Sequence, residues 1–130
     1  MKEIKRVYIA GPITPIGNEN KSVKHLANIR NGVYAGIALM EAGFSPYNPF
    51  LDFMYWLVGG GDGFFLSVHR IRKMDLDWVE VSDAMLLLKG WKKSVGARGE
   101  LDRAKKYNIP YFESIDDLVA YRDKMREDGK

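Results

Sequence analysis

The segment Ser94-Val95-Gly96-Ala97-Arg98-Gly99-Glu100 runs from a loop into a helix, directly after the apolar run Ala84-Met85-Leu86-Leu87-Leu88. Free amides at a helix N-terminus, with close approach allowed by glycine, form an anion site. The plainer reading is that Ser94 caps the helix and Glu100 complements its dipole. On this segment alone the plainer reading comes first. If the helix begins near Ala97, Glu100 falls in its first turn, and the positive helix end is expected to hold the carboxylate ionised.

A second group is Met74-Asp75-Leu76-Asp77-Trp78, followed by Ser82-Asp83. Ile71, Met74, Trp78 and Val81 share a helical stripe, so Asp75 is expected at the edge of the core. A carboxyl there has a raised pKa and can donate a proton near neutral pH. Asp77 points elsewhere and is expected in solvent, while Asp83 turns the chain into the next strand. Tyr8 lies in the first strand, three residues before Gly11. A strand tyrosine is usually core with a satisfied hydroxyl; this one also borders the crevice that receives Glu100. Of the aromatic residues Tyr47, Phe50, Phe53, Tyr55 and Trp56, some belong to core or interface, and some could stack on a planar ligand.

Other signatures fail. No Gly-x-Gly-x-x-Gly follows the first strand, and Gly90-Trp91-Lys92-Lys93-Ser94 lacks P-loop spacing. With no cysteine and only His25 and His69, no zinc site is expected, nor any other metal or cofactor. His25 is expected at the surface or its boundary. No Gly-x-Ser-x-Gly elbow recommends a serine hydrolase.

These residues need elements to hold them. Val7-Tyr8-Ile9-Ala10, stopped by Gly11-Pro12, reads as a buried strand, and Asn20 to about Gly43 as a helix. In that helix Val23, Leu26, Ala27, Val33, Tyr34, Ile37 and Ala38 carry the apolar period. Phe44 to Tyr47 is a short strand, Phe50 to Val58 a short helix, and Gly59 to Gly63 a loop. A helix from about Leu66 to Val81 precedes the strand Ala84 to Leu88. Another from about Ala97 to Tyr107 precedes Ile109 to Phe112, and a last one starts at the cap Ser114.

Strands alternating with helices predict an α/β fold. We expect one flavodoxin-like or Rossmann-like domain over residues 1–130, its four- or five-stranded parallel sheet covered by helices on both faces. Ligands of such sheets bind beyond the carboxyl ends of the strands, where strand order reverses. That nominates 11–20, 46–50 and 89–100.

Composition narrows the class. The chain has 130 residues, 46% hydrophobic and 28% charged, the balance of a globular domain rather than a disordered or fibrous one. No apolar run approaches the roughly 18 residues that suggest a membrane span. A net charge of +3, spread among interleaved acids, gives no nucleic-acid footprint. Without cysteine, a reducing and hence cytoplasmic compartment is the expectation.

Taken together, Val7 to Ile13, Asp75 to Trp78 with Ser82-Asp83, and Ser94 to Glu100 with Leu101 and Ala104 resemble the nucleoside 2-deoxyribosyltransferase-like superfamily. Within it they are most similar to the 2′-deoxynucleoside 5′-phosphate N-hydrolase branch and its small phage and bacterial relatives. The resemblance implies that Glu100 is a nucleophile forming a glycosyl-enzyme intermediate. It implies that Asp75 handles the leaving base and a sugar hydroxyl, and that Tyr8 orients the glutamate. Ser94 and Gly96 match 5′-phosphate contacts; Gly11, Ile13, Asn48 and Arg98 complete the substrate site it implies.

The transferases carry aspartate six residues before the glutamate, where this chain has Ser94. A serine with amides accepts a phosphate that a carboxylate would repel. The first loop departs from the hydrolase pattern: Gly11-Pro12-Ile13-Thr14-Pro15-Ile16-Gly17 lacks its arginine. Phosphate would then rest on Ser94, amides and Arg98 or Lys93. The resemblance implies hydrolysis of a deoxynucleoside monophosphate to base and deoxyribose 5-phosphate. Base exchange between deoxynucleosides and non-catalytic nucleotide binding are the alternatives. It also implies a homo-oligomer, a dimer or larger, in keeping with the aromatic residues from Phe50 to Phe65.

Overall fold

The computed structural model describes residues 3–13, 21–59 and 67–129. The loop Thr14 to Gly17, the glycines from Gly60 to Gly63, and Phe64 to Leu66 lie outside them. Four strands, β1 (Arg6–Ala10), β2 (Ser45–Tyr47), β3 (Ala84–Leu87) and β4 (Tyr111–Phe112), form one sheet in the order β2-β1-β3-β4. Every pairing is parallel. The helices are α1 (Lys21–Glu41), α2 (Phe53–Gly59), α3 (Val68–Glu80), α4 (Val95–Lys106) and α5 (Ile115–Asp128). This is the expected α/β fold with a parallel sheet, at the lower of the two strand counts among the described residues.

Alternation along β1 and β3 builds two cores. Val7, Ile9, Ala84 and Leu86 meet Leu39 of α1 and Leu118 of α5. Tyr8, Ala10, Met85 and Leu87 meet Val79 of α3 with Ala97, Leu101 and Ala104 of α4. All four residues of β3 are buried, because the strand has a neighbour on each side and helices on both faces. Asp83, as expected, turns the chain into β3. It also clamps β1, accepting from the amides of Lys5 (2.9 Å) and Arg6 (2.8 Å).

Two helix faces differ from the periodicity. In α1 the buried stripe is Asn28, Gly32, Gly36 and Leu39, while Val23, Leu26, Tyr34 and Ile37 are exposed. The reason is distance. Gly32 lies directly against the Phe50 ring, and a Cβ on Gly36 would stand 2.9 Å from the Asn48 amide, so the helix packs closely through small residues. In α3 the buried residues are Ile71, Asp75 and Val79; Trp78 and Val81 are exposed. Asp75 therefore sits on the buried stripe rather than at its edge. Among the described residues, no helix is long and apolar enough to cross a membrane.

Candidate active site

Strand order reverses between β1 and β3, and the loops leaving those strands meet there. A Cβ on Gly11 would lie 2.8 Å from Leu88, and one on Gly90 3.3 Å from Pro12. Chemistry gathers beside this point, on the face covered by α3 and α4. Parallel register sets Tyr8 opposite Tyr47, and their rings stack at 5.3 Å between centroids. Trp78 continues the column, 5.4 Å from Tyr47. Tyr8 donates its hydroxyl to Glu100 Oε2. Tyr47 donates to Asp75 Oδ1 at 3.1 Å.

Asp75 has a second neighbour. Pro49–Asp52 form a 3-10 turn between β2 and α2, capped by Asn48, whose Oδ1 accepts from the Phe50 amide. That turn brings the Asp52 carboxyl close enough to act on Asp75. Both are buried, at 6% and 7% exposure, where an ionised carboxylate is costly. Burial, then the neighbouring Asp52 carboxyl, push Asp75 up to about 9 against the opposing bond from Tyr47. Burial also raises Asp52. Tyr8 and Tyr47 rise above ordinary phenols, first from burial and then from the neighbouring carboxyls, so both remain donors.

Glu100 departs from expectation. Helix α4 begins at Val95, which makes Glu100 its sixth residue, past the turn in which the dipole acts. Burial dominates and raises its carboxyl to about 8; the Tyr8 hydroxyl and, more weakly, Arg72 pull the other way. In the free protein Glu100 is mostly protonated at neutral pH, not held ionised.

Tyr8, Asp75 and Glu100 thus share one cluster. The other nominated positions have different partners. Asn48 donates Nδ2 to the Gly32 carbonyl (3.0 Å) besides capping its turn. Ile13 packs against the opposite core, its carbonyl held by Asn28 at 3.2 Å. Gly11 is buried at the strand crossing. Ser94 caps α4, accepting from the Ala97 amide at 3.2 Å. Gly96 and Arg98 are exposed on the first turns, and a Cβ on Gly96 would meet nothing closer than 4.0 Å. Asp77 pairs with Lys73 at 3.5 Å on the surface, and His25 rests edge-on against Phe53.

Sequence reading missed Asp52 and the parts played by Tyr47 and Trp78. One signal was available: Asp52 is the lone acid in the apolar, aromatic run from Tyr47 to Val58. Among the described residues, no group of three or more His, Asp or Glu could hold a metal ion.

Residues 5–112 match the family described as a domain of unknown function, DUF4406. The chain belongs to the DUF4406 family. Among curated proteins nothing matches. Among solved structures, this DUF4406 chain is similar to a 2-deoxyribosyltransferase from the psychrotolerant bacterium Bacillus psychrosaccharolyticus. The TM-score is 0.53 at 17% identity, covering 88% of this chain and 90% of that one. At that identity the likeness is one of fold.

Proposed function

We propose that this protein hydrolyses the N-glycosidic bond of a 2′-deoxynucleoside 5′-monophosphate, releasing free base and deoxyribose 5-phosphate. One observation carries the reading: Glu100, held by Tyr8, shares a buried cluster with Asp75, a carboxyl kept protonated. Glycosidic cleavage needs a nucleophilic carboxylate beside a carboxylic acid, and of these two Glu100 ionises first. The sequence resemblance and the fold of the Bacillus enzyme support the same class.

In this reading the Glu100 carboxylate attacks C1′ of the sugar. The C1′–N bond breaks, its electron pair leaves with the base, and Asp75 gives the base a proton. Water then attacks C1′ of the glycosyl ester, returns a proton to Asp75 and frees Glu100. The Ser94 hydroxyl, whose oxygen already accepts from Ala97, has its own proton to donate to a 5′-phosphate. The Gly96 amide and Arg98, exposed on the first turns of the same helix, would complete the phosphate contacts. Base exchange is the second reading, favoured by the 2-deoxyribosyltransferase fold. We place the protein in the cytoplasm, as a homo-oligomer that covers the outward apolar residues of α1 and α2.

The test is a panel of deoxynucleoside monophosphates with chromatographic detection of released bases. Base and deoxyribose 5-phosphate in equal amounts are expected. Product only when an acceptor base is added identifies the transferase. Deoxynucleosides cleaved faster than monophosphates overturn the phosphate reading, and ligand-induced thermal stabilisation without turnover overturns catalysis.

A further inference from the structure

Asp52 has no role in the proposed reaction, yet its placement is demanding. It is 6% exposed, and its Oδ2 is fully buried with no hydrogen-bond partner among the described residues. An orphaned buried acceptor costs about 1–3 kcal/mol, more for a charged one. The Asp52 carboxyl acts on another carboxyl, Asp75, whose Oδ1 is already bonded by Tyr47. Two carboxylates in contact cannot both stay ionised. A proton between them removes the repulsion and supplies the missing donor at once.

The other groups bearing on the pair are the Tyr8 and Tyr47 hydroxyls, the Tyr55 phenol beyond Tyr47, the Glu100 carboxyl on α4, and the Arg72 guanidinium on α3. Arg72 acts on Glu100, and neither Asp52 nor Asp75 has a cation among its main influences. Among the described residues, the Tyr47 hydroxyl on Asp75 is a neutral donor and does not cancel a second negative charge.

We infer that Asp52 is a positioning residue: it accepts a hydrogen bond from protonated Asp75, and the two carboxyls hold one proton between them. Its use in catalysis rests on the proposed function, since it keeps Asp75 in the form that protonates a leaving base. The shared proton itself does not depend on that reading. In the reaction the proton leaves Asp75 for the base. Asp52 is then beside a transient carboxylate, which favours recapture of a proton from the attacking water.

The experiment follows the side-chain carboxyl carbons of 13C-labelled aspartate by NMR across pH. In the wild-type protein, Asp52 and Asp75 signals are expected to move together through two shared steps, as coupled acids do. In Asp52→Asn, whose amide donates to an ionised Asp75, the Asp75 midpoint should fall by at least about one pH unit. It should remain above an ordinary carboxylate, because burial persists. Both limbs of the kcat/KM profile should move to lower pH, since Asp52 raises Glu100 as well. Independent single steps for the two wild-type signals, or an unmoved Asp75 midpoint in Asp52→Asn, overturn the inference. The wild-type titration needs neither variant nor substrate. Coupled titration in a protein that cleaves no monophosphate would therefore defeat the proposed function and leave the shared proton standing.

Discussion

Glu100 joins two properties that pull in opposite directions. In the proposed reaction its carboxyl must ionise to attack, yet burial raises it to about 8. An acid whose folded pKa lies above its unfolded value adds stability below the unfolded value, near 4.5, and loses it as pH rises through the folded one. The protein should therefore be less stable at pH 8 than at pH 5, as seen in denaturant titrations. Glu100→Gln removes that cost while keeping an acceptor for Tyr8. We predict a gain on the order of 1–3 kcal/mol near pH 8, with turnover reduced by several orders of magnitude. If Glu100 only complemented the helix dipole, the variant would be slightly less stable and fully active.

At the scale of the element, two glycines give opposite predictions. Gly32 of α1 faces the Phe50 ring with no room for a methyl group. Gly32→Ala must push α1 outward or displace the turn that carries Asp52, at a cost of about 1–3 kcal/mol or more. Gly99 of α4 has nothing within 4 Å of its Cβ position. Gly99→Ala should stabilise by up to about 1 kcal/mol through helix propensity. Thermal unfolding of the pair checks both signs. Ser94→Ala separates cap from ligand contact. A cap alone predicts a loss of about 0.5–2 kcal/mol and unchanged KM. The phosphate reading predicts in addition a raised KM for monophosphates and no change for nucleosides.

For the whole molecule, the cluster should give a pH window and the exposed apolar surface an assembly. The proposed reaction requires Glu100 ionised and Asp75 protonated before substrate binds, with pKa values of about 8 and about 9. The kcat/KM profile should be bell-shaped and peak between them, falling about tenfold per pH unit on either side. A maximum near pH 6 would contradict these assignments. Tyr34, Ile37 and Met40 on α1, with Met54, Tyr55, Leu57 and Val58 on α2, are exposed. Such an apolar surface fits self-association. Light scattering should report a dimer or larger, and Ile37→Glu should shift it toward monomer.

The sequence by itself determined the alternation of elements, because buried parallel strands and their stop signals are local patterns. Val7 to Ala10, Ala84 to Leu87 and the cap at Ser114 needed only their neighbours in the chain. Motif order also singled out Tyr8, Asp75 and Glu100. What it did not contain was distance. The α1 face was misread because hydrophobicity favours its larger residues, whereas close packing on Phe50 and Asn48 selects Gly32 and Gly36. Glu100 was expected to be ionised because a helix dipole can be counted along the chain, while burial by β1 and α3 cannot. Asp52 and Asp75 are far apart in sequence, and only the parallel sheet, which sets Tyr8 beside Tyr47, brings their carboxyls together. Their protonation was decided by the tertiary structure, because desolvation and carboxyl–carboxyl contact exist only once the chain has folded.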